Sequence, residues 1–477
     1  MRAFSLTKIM SNAPKSVKES LARADREDAR ERRTRIMLVY PPLGSQARTQ
    51  KTPPLGLMFI ASYLLGRETN VEIKILDYAI SPFTNEGFMK ELMTFAPHIV
   101  GMSVLTLNSF RANVIAKLAK QYNPEILVVV GGVHATFLTE TCLEYGDIVV
   151  RGEGEETFWE IVHGYPLNSI LGISYWKDGE ILHNPDRPFI RDIETLQPAG
   201  KVFNLLETPK YENWGIMGSR GCPHACIFCS SPRMWQKRLR VRSAKSIVDE
   251  IVYLHTRLGI RSIMFFDDTL NVPQKRAFEI CDEIIKRELN KEIAFACQLR
   301  ANAPNVSPEL FKRMKEANFL RVEFGIESGS QYVLDSINKV LTIEEARRAP
   351  TLAKEQGIQR IVGFFLIGNW NETLLDVVET WLFILRTPVY PLFSIVTPFP
   401  GTKIYSMLKQ QGLLKEPICW DLMNQHTVIS RTNKMSKPLI LLLYAISILF
   451  FHSLIAFTRG RSIGATVKGI KRLLSNS

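Results

Sequence analysis

From Arg35 onward the chain alternates two hydrophobic patterns. Short apolar runs read as strands: "RIMLVY" (35–40), "VEIKILDYA" (71–79), "HIVGMSVLTL" (98–107), "EILVVVGGVHA" (125–135) and the opening of "DIVVRGEGEE" (147–156). Between them, "PLGLMFIASYLLG" (54–66), "EGFMKELMTFA" (86–96) and "FRANVIAKLAKQY" (110–122) carry apolar residues at helical spacing, and "TFWEIVHG" begins another helix. Nearly continuous apolar strands separated by helices specify a parallel sheet covered on both faces, because only strands buried on both sides dispense with polar alternation. The expectation is α/β, a doubly wound domain over 35–164 with its ligand site at the carboxyl ends of the strands. Gly131, Gly132, Gly152 and Gly154 fall at such ends, where a missing side chain lets a large ligand approach.

A connector over 165–210, with the hairpin-like "YWKDGEILHN", precedes a second alternating series. Its strand candidates are "WGIMGSRG" (214–221), "SIMFFDD" (262–268), "IAFACQLRA" (293–301), "LRVEFGIES" (320–328), "RIVGFFLIG" (360–368) and "LFSIVTPFPG" (392–401). Helical stretches such as "SAKSIVDEIVYLHTRLG" and "KRAFEICDEIIKREL" separate them. Six βα units over 211–402 make a partial (β/α)6 barrel, since closure takes eight, and the strand ends form its active face. Asp267, Asp268, Arg300, Glu323, Glu327 and Gly368 gather at those ends. A polar extension of mixed charge (1–34) precedes the two domains, and a helical region (403–477) follows them.

A chain of 477 residues, 46% of them hydrophobic, has material for two or three cores and is not disordered. Its seven cysteines are few and odd in number, which argues against a disulfide scaffold and for a reducing compartment. "MRAFSLTKIMSNAPKSVKES" has no apolar core of the kind a secretory signal needs, so the expected location is the cytoplasm. The net charge of +13 is unevenly spread: Asp421 is the last acidic residue, and eight Lys/Arg follow it. Acids interrupt the basic run "ARADREDARERR", so no nucleic-acid partner is expected.

Three cysteines stand apart: Cys222, Cys226 and Cys229 in "GSRGCPHACIFCSS" (218–231), spaced C-x3-C-x2-C. A disulfide would leave one thiol over and does not suit a reducing compartment. Structural zinc takes four ligands, and apart from His224 inside the loop no fourth Cys or His stands at a zinc-ribbon spacing. An iron–sulfur cluster also takes thiolates, usually four; three would leave one iron with an open position for a small chelating molecule. On spacing alone, a non-enzymatic zinc or redox-sensing module stays open beside the cluster. Cys281, Cys297 and Cys419 read as ordinary residues of a helix face, a strand and a loop.

With Phe228 before the third cysteine, "GIMGSRGCP" leading into the first and the βα units behind, the loop resembles that of the radical S-adenosylmethionine (radical SAM) superfamily. The resemblance implies a 4Fe-4S cluster on the three cysteines and S-adenosylmethionine chelated by its unique iron. One-electron cleavage would then give a 5′-deoxyadenosyl radical that abstracts hydrogen from unactivated carbon, with a flavodoxin- or ferredoxin-type protein as electron donor. By the same resemblance, "FFDDTLN" (265–271), "QLRAN" (298–302) and "EFGIESGS" (323–330) place Asp267, Asp268, Arg300, Glu323 and Ser328 along the cofactor pocket. The plain alternative for each is an ion pair between neighbouring units. "GFFLIGNWNET" (363–373) resembles a segment usually written G-x-P-G-E-T, with Asn369-Trp370-Asn371 in place of the customary residues.

The first domain resembles the cobalamin-binding domain of the cobalamin-dependent radical SAM subfamily, on "LVYPPLG" (38–44), "VVVGGVHAT" (128–136) and "VVRGEGEETF" (149–158), and the likeness runs over roughly 35–430. It implies that Gly131, Gly132, Gly152 and Gly154 line cobalamin. A dinucleotide fold would want G-x-G-x-x-G after the first strand, and "YPPLGSQ" is not that. No Asp-x-His-x-x-Gly loop follows that strand either, so cobalt without a protein imidazole is expected, with a domain that has lost cobalamin as the alternative. His134 is expected to fill a satisfied polar role. Together the resemblances imply methylation of an unactivated carbon on a small-molecule, lipid-like substrate. Oxidative cyclisation or another radical rearrangement of a tetrapyrrole-like substrate is the alternative. A methylthiotransferase would need a second three-cysteine cluster, and only Cys142 precedes Cys222.

The segment "PLILLLYAISILFFHSLIAFT" (438–458) contains no Lys, Arg, Asp or Glu. About 20 apolar residues suffice to cross a bilayer. A span would leave Arg459, Arg461, Lys468, Lys471 and Arg472 on the wrong side for the positive-inside rule. An interfacial or re-entrant helix keeps both basic flanks on the cytoplasmic leaflet and implies peripheral membrane association. A helix buried against the barrel is the third reading.

Overall fold

The computed structural model describes residues 33–43, 52–67, 70–206, 211, 213–302, 304–414 and 418–458. Most of the N-terminal extension and the basic tail beyond Thr458 lie outside the described residues.

The first apolar runs form strands β1 (Thr34–Tyr40), β2 (Val71–Asp77), β3 (Ile99–Ser103), β4 (Leu127–Gly131) and β5 (Ile148–Val150), all parallel. Their order in the sheet is β2-β1-β3-β4-β5. The order reverses between β1 and β3, the point at which such sheets open a crevice at their carboxyl edge. Successive residues face opposite sides of a strand, and β4 shows it. Val128 and Val130 enter one core, lined by Phe88 and Leu92 of the helix Asn85–Phe95 and by Ala112 and Ile115 of the helix Ser109–Tyr122. Val129 enters the other, with the helices Leu55–Leu65 and Glu155–Val162.

The connector hairpin is part of this sheet. Strands β6 (Ile173–Lys177) and β7 (Glu180–His183) add antiparallel to the free edge of β5. An unpaired strand edge needs hydrogen-bond partners, but nothing local in the sequence names which edge a hairpin will take.

The second series builds strands β8 (Trp214–Ile216), β9 (Ser219–Arg220), β10 (Arg240–Val241), β11 (Ser262–Phe265), β12 (Ala294–Leu299), β13 (Phe319–Glu327), β14 (Arg360–Ile367) and β15 (Tyr390–Ile395). Six of them form a parallel sheet in the order β15-β14-β13-β12-β11-β8, with β8 and β15 at its two edges, as a partial barrel requires. The short pair β9 and β10 is an antiparallel ribbon that carries the chain into and out of the cysteine loop. The connecting helices begin and end as their sequences direct: Ala244–Leu258 starts where the Ser243 side chain accepts from Ser246 N, and stops at Gly259 with φ +65°.

The two domains share a core. Val129 and Phe158 belong to the same buried cluster as Trp214, Ile216 and Phe265. The approach is close enough to demand glycine: a Cβ on Gly215 would stand 3.2 Å from Leu55 of the first domain and 2.1 Å from the Phe266 ring.

The C-terminal segment is a helix, Lys437–Thr458. It buries Ile440, Leu443, Tyr444, Ile448 and Phe451 against the barrel, with the Phe451 ring 5.6 Å from that of Phe393. Trp381 Nε1 donates to Ser447 Oγ at 2.7 Å, tying it to the helix Leu374–Leu385. Leu442, Ile446 and Phe450 remain exposed. Among the described residues no helix is long and apolar enough to cross a membrane. Packing on the barrel is therefore the reading the structure supports for one face, and the spanning reading is set aside.

Candidate active site

The cysteine loop leaves β9 through Gly221, whose φ of +95° and a Cβ position only 2.0 Å from Arg238 O admit no side chain. The loop is then clamped from outside. Ile227 N donates to Ile337 O at 3.1 Å, Asn338 Nδ2 to Ala225 O at 2.9 Å, and Ile404 N to Ile227 O at 3.2 Å. Ile227, Phe228 and Trp370 pack around Ile404, Tyr405 and Leu408. The unusual Trp370 of "GNWNET" thus packs on the same small core as Ile227 and Phe228 of the loop.

Cys226 is buried, while Cys222 and Cys229 are half-buried. Burial pushes the Cys229 thiol up to about 12, with Asp268 and the other two thiols adding to it. Burial likewise raises Cys222, against the opposing Arg300. His224 is pushed down to about 4 by burial, Arg300 and Lys339, so its ring is neutral at pH 7. Among the described residues no group of three His, Cys, Asp or Glu is gathered closely enough to hold a metal ion. The donor chemistry nonetheless fits a thiolate-bound cluster: three sulfurs on one clamped loop, each within the others' electrostatic reach. Ligation requires that these thiols lose their protons and draw together.

Of the residues expected beside this loop, two face it. Arg300 Nη1 lies 3.9 Å from Cys226 Sγ, while Nη2 donates to Lys339 O. Asp268 accepts from Ser231 Oγ at 2.7 Å, and Ser231 N in turn donates to Cys229 Sγ at 3.4 Å. Desolvation by the surrounding chain pushes the Asp268 carboxyl up, with Asp267 adding, against the Ser231 hydrogen bond.

The other three are engaged inside the fold. Asp267 accepts from Gly218 N at 2.9 Å and Ser219 Oγ at 2.5 Å and pairs with Arg276 at 2.7 Å, so it braces neighbouring units and has little left for a cofactor. Ser328 Oγ accepts from Ser330 N and lies 3.1 Å from Thr380 Oγ1, a strand-to-helix tie. Glu323 is buried on β13 beside Arg321 and Gln298, and burial raises its carboxyl.

Lys339 was not foreseen. It pairs with Glu327 at 2.7 Å, both buried, and its ammonium stands 5.8 Å from the Phe228 ring centre. Glu327 itself holds φ +72°, a costly backbone for a residue with a side chain. Lys339 lies in a turn without periodicity, and only Glu327 among the pair carried a sequence signal, as a polar strand end.

A cavity of about 210 Å³ opens between the lobes. Leu38, Gly101, Gly131, Gly132, Gly152 and Gly154 line it from the first domain, and Met217, Arg220 and Trp235 from the barrel. All four expected glycines are there. Gly132 has φ +99°, and a Cβ on it would stand 2.7 Å from the Val104 backbone. The apolar floor and the strand ends without Cβ atoms form a cradle in which a flat aromatic group can lie close to the backbone, so the residues present suit the benzimidazole end of cobalamin. His134 lies elsewhere, under Trp420, whose ring centre is 5.2 Å away. Its Nδ1 is 3.2 Å from Thr106 Oγ1, but its buried Nε2 has no partner among the described residues, where the expected polar role is only half satisfied.

Comparison with known proteins agrees with this geometry. Residues 46–162 match the family model for the B12 binding domain, and residues 216–384 the model for the radical SAM superfamily. The chain is 36% identical over 396 residues to an uncharacterized methyltransferase of Pyrococcus horikoshii, covering 80% of this chain and 84% of that one. The chain belongs to the cobalamin-dependent radical SAM proteins. Within this family it is 28% identical to an anaerobic magnesium-protoporphyrin IX monomethyl ester cyclase of Rubrivivax gelatinosus, covering 78% and 70% of the two chains. It is 24% identical to a hopanoid C-3 methylase of Methylococcus capsulatus, covering 83% and 76%. Two solved structures share the fold. One is the cobalamin-dependent radical SAM enzyme OxsB with aqua-cobalamin and S-adenosylmethionine bound, at TM-score 0.72 and 20% identity, covering 89% of this chain and 67% of that one. The other is the radical SAM methyltransferase TsrM of Kitasatospora setae with cobalamin and a [4Fe-4S] cluster bound, at TM-score 0.67 and 18% identity, covering 81% and 76%. As a cobalamin-dependent radical SAM enzyme, the chain uses cobalamin and S-adenosylmethionine.

Proposed function

We propose that this enzyme methylates an unactivated carbon of a small, lipid-like molecule. The observation that carries the reading is the inter-lobe cavity, walled on one side by glycine strand ends and on the other by the ribbon that enters the cysteine loop. When bound, the cluster with S-adenosylmethionine supplies hydrogen abstraction and cobalamin a transferable methyl group. The chain supplies the rest. Cys222, Cys226 and Cys229 would hold the cluster, and Arg300 places positive charge against their sulfurs. Asp268 faces the same loop from β11's carboxyl end. Gly131, Gly132, Gly152 and Gly154 would seat cobalamin, and the apolar lining excludes water from the space between the cofactors. A flavodoxin- or ferredoxin-type donor would deliver the electron.

A second reading, oxidative cyclisation without methyl transfer, is favoured by the similarity to the magnesium-protoporphyrin cyclase. Anaerobic turnover after reconstitution separates the two. Methylation yields 5′-deoxyadenosine and S-adenosylhomocysteine together and a product one methyl heavier; cyclisation yields deoxyadenosine alone and a product that has lost hydrogen or gained oxygen. Absence of deoxyadenosine would defeat both.

The lipid-like character is supported by the C-terminal helix, which leaves Leu442 56% and Phe450 49% exposed, and by the adjoining helix, which leaves Leu375 73% exposed. Neither face is partnered among the described residues. In sequence, the stretch after Asp421 carries eight Lys/Arg and no acid, which complements an anionic bilayer surface.

A further inference from the structure

The ribbon leading into the cysteine loop carries two arginines directly opposite each other: Arg220 on β9 pairs with Arg240 on β10. Like charges facing across an antiparallel pair repel, and both side chains are buried. What neutralises them comes from the other lobe. Glu153 Oε1 accepts from Arg220 Nη1 at 2.6 Å, and Glu153 Oε2 accepts from Arg240 Nη1 at 2.6 Å and from Ile190 N at 2.9 Å. Glu155 accepts from Arg220 Nη2 at 2.5 Å. The two carboxylates are 5% exposed, and the two guanidiniums 7% and 10%.

These carboxylates flank Gly154 in the loop that edges the inter-lobe cavity, and Glu153, Glu155 and Arg220 form part of its wall, whereas Arg240 stands behind it. On the other side of Arg220 come Gly221, jammed against Arg238 O, and then Cys222. A buried carboxylate shared by two guanidiniums cannot be displaced without leaving a charge unpaired. Movement of the 152–155 loop about a ligand must therefore move the ribbon, and the tight seat of Gly221 passes that movement to the cysteines.

We propose that Glu153, Arg220 and Arg240 form a latch by which occupancy of the cavity sets the arrangement of the cysteine loop. Cobalamin and the cluster site would thereby be coupled, each favouring the other reciprocally. Arg240 acts as a positioning residue, since it reaches the cavity only through other side chains: Glu153, which it holds, and the Trp235 ring, 5.3 Å from its guanidinium. The inference rests on the cobalamin reading of the cavity and deepens it.

The test uses the full-length chain before cluster reconstitution, with cyanocobalamin as probe. Iodoacetamide alkylation of each cysteine is timed by peptide mass spectrometry. Saturating cyanocobalamin is expected to change the rates at Cys222 and Cys229 by roughly fivefold or more, while exposed Cys419 keeps its rate. In Arg240→Gln the probe still binds but the change at the loop is lost; Arg240→Lys restores it. Wild-type loop cysteines indifferent to bound cyanocobalamin, or a full response in Arg240→Gln, would overturn the latch. Failure of the wild-type chain to bind cyanocobalamin at all would overturn the cavity reading and the latch with it.

Discussion

Arg300 aims a guanidinium nitrogen at the sulfur of Cys226, 3.9 Å away, from just beyond the carboxyl end of β12. Its other nitrogen holds Lys339 O, so one side chain both charges the cysteine loop and ties down the segment that clamps it. A positive donor beside a cluster sulfur raises the reduction potential. Arg300→Met is expected to lower the potential of the reconstituted cluster by tens of millivolts, read by EPR-monitored titration. An unchanged potential would remove Arg300 from the cluster environment.

The three loop cysteines should be individually indispensable for iron. Cys222→Ala, Cys226→Ala and Cys229→Ala are each expected to reduce iron after anaerobic reconstitution from about four per chain to near zero. Alanine at buried Cys281 or Cys297 should leave it intact. About one zinc and no iron in the wild-type chain would instead favour a structural zinc module.

The cavity can be filled without breaking the fold. Gly131 has no left-handed φ, and a Cβ there would meet Val150 at an ordinary 3.7 Å. Gly131→Leu is expected to keep the melting temperature within a few degrees, yet to weaken cobalamin binding at least about tenfold, the equivalent of 1.4 kcal/mol. Absorbance titration with hydroxocobalamin measures it; undiminished affinity would place cobalamin elsewhere.

His134 makes a pH prediction with a definite sign. Burial pushes it down to about 4, below the ordinary value of 6.5. Between those values the unfolded chain binds the proton and the folded chain does not, so the neutral ring's contribution is present above pH 6.5 and is lost as pH falls toward 4. His134→Gln should therefore show a shallower loss of stability than wild type over that interval. The gap at pH 4 is on the order of 3 kcal/mol, measured by urea unfolding at each pH. Parallel curves would show that the ring is protonated in the folded chain.

The exposed apolar face of the C-terminal helix should matter only at a lipid surface. The Leu442→Glu, Phe450→Glu double variant is expected to lose most co-sedimentation with anionic phosphatidylglycerol vesicles while keeping its thermal stability, since both side chains point away from the barrel. Equal recovery of wild type and variant in the supernatant would remove membrane contact. A wild-type dimer that the variant breaks would assign the face to a second copy instead.

Much of this enzyme can be read from the order of its residues, because burial leaves a local signature. Runs such as "LVVV" at Leu127–Val130 have to be covered on both sides, and helical stretches between them supply the cover. That periodicity establishes a doubly wound sheet followed by a six-unit partial barrel. The spacing of Cys222, Cys226 and Cys229 brings three sulfurs onto one loop whatever the rest of the chain does, and glycines at strand ends announce a cradle. What folding alone settles are the meetings between distant segments. Asp267 became a brace because Arg276, Gly218 N and the Ser219 hydroxyl all meet it. The hairpin after residue 165 took the edge of β5. The C-terminal helix laid one face on the barrel, and Glu153 came to lie between Arg220 and Arg240, 67 and 87 residues away. No periodicity encodes such pairings, since each depends on which two faces end up opposed once both lobes share a single core.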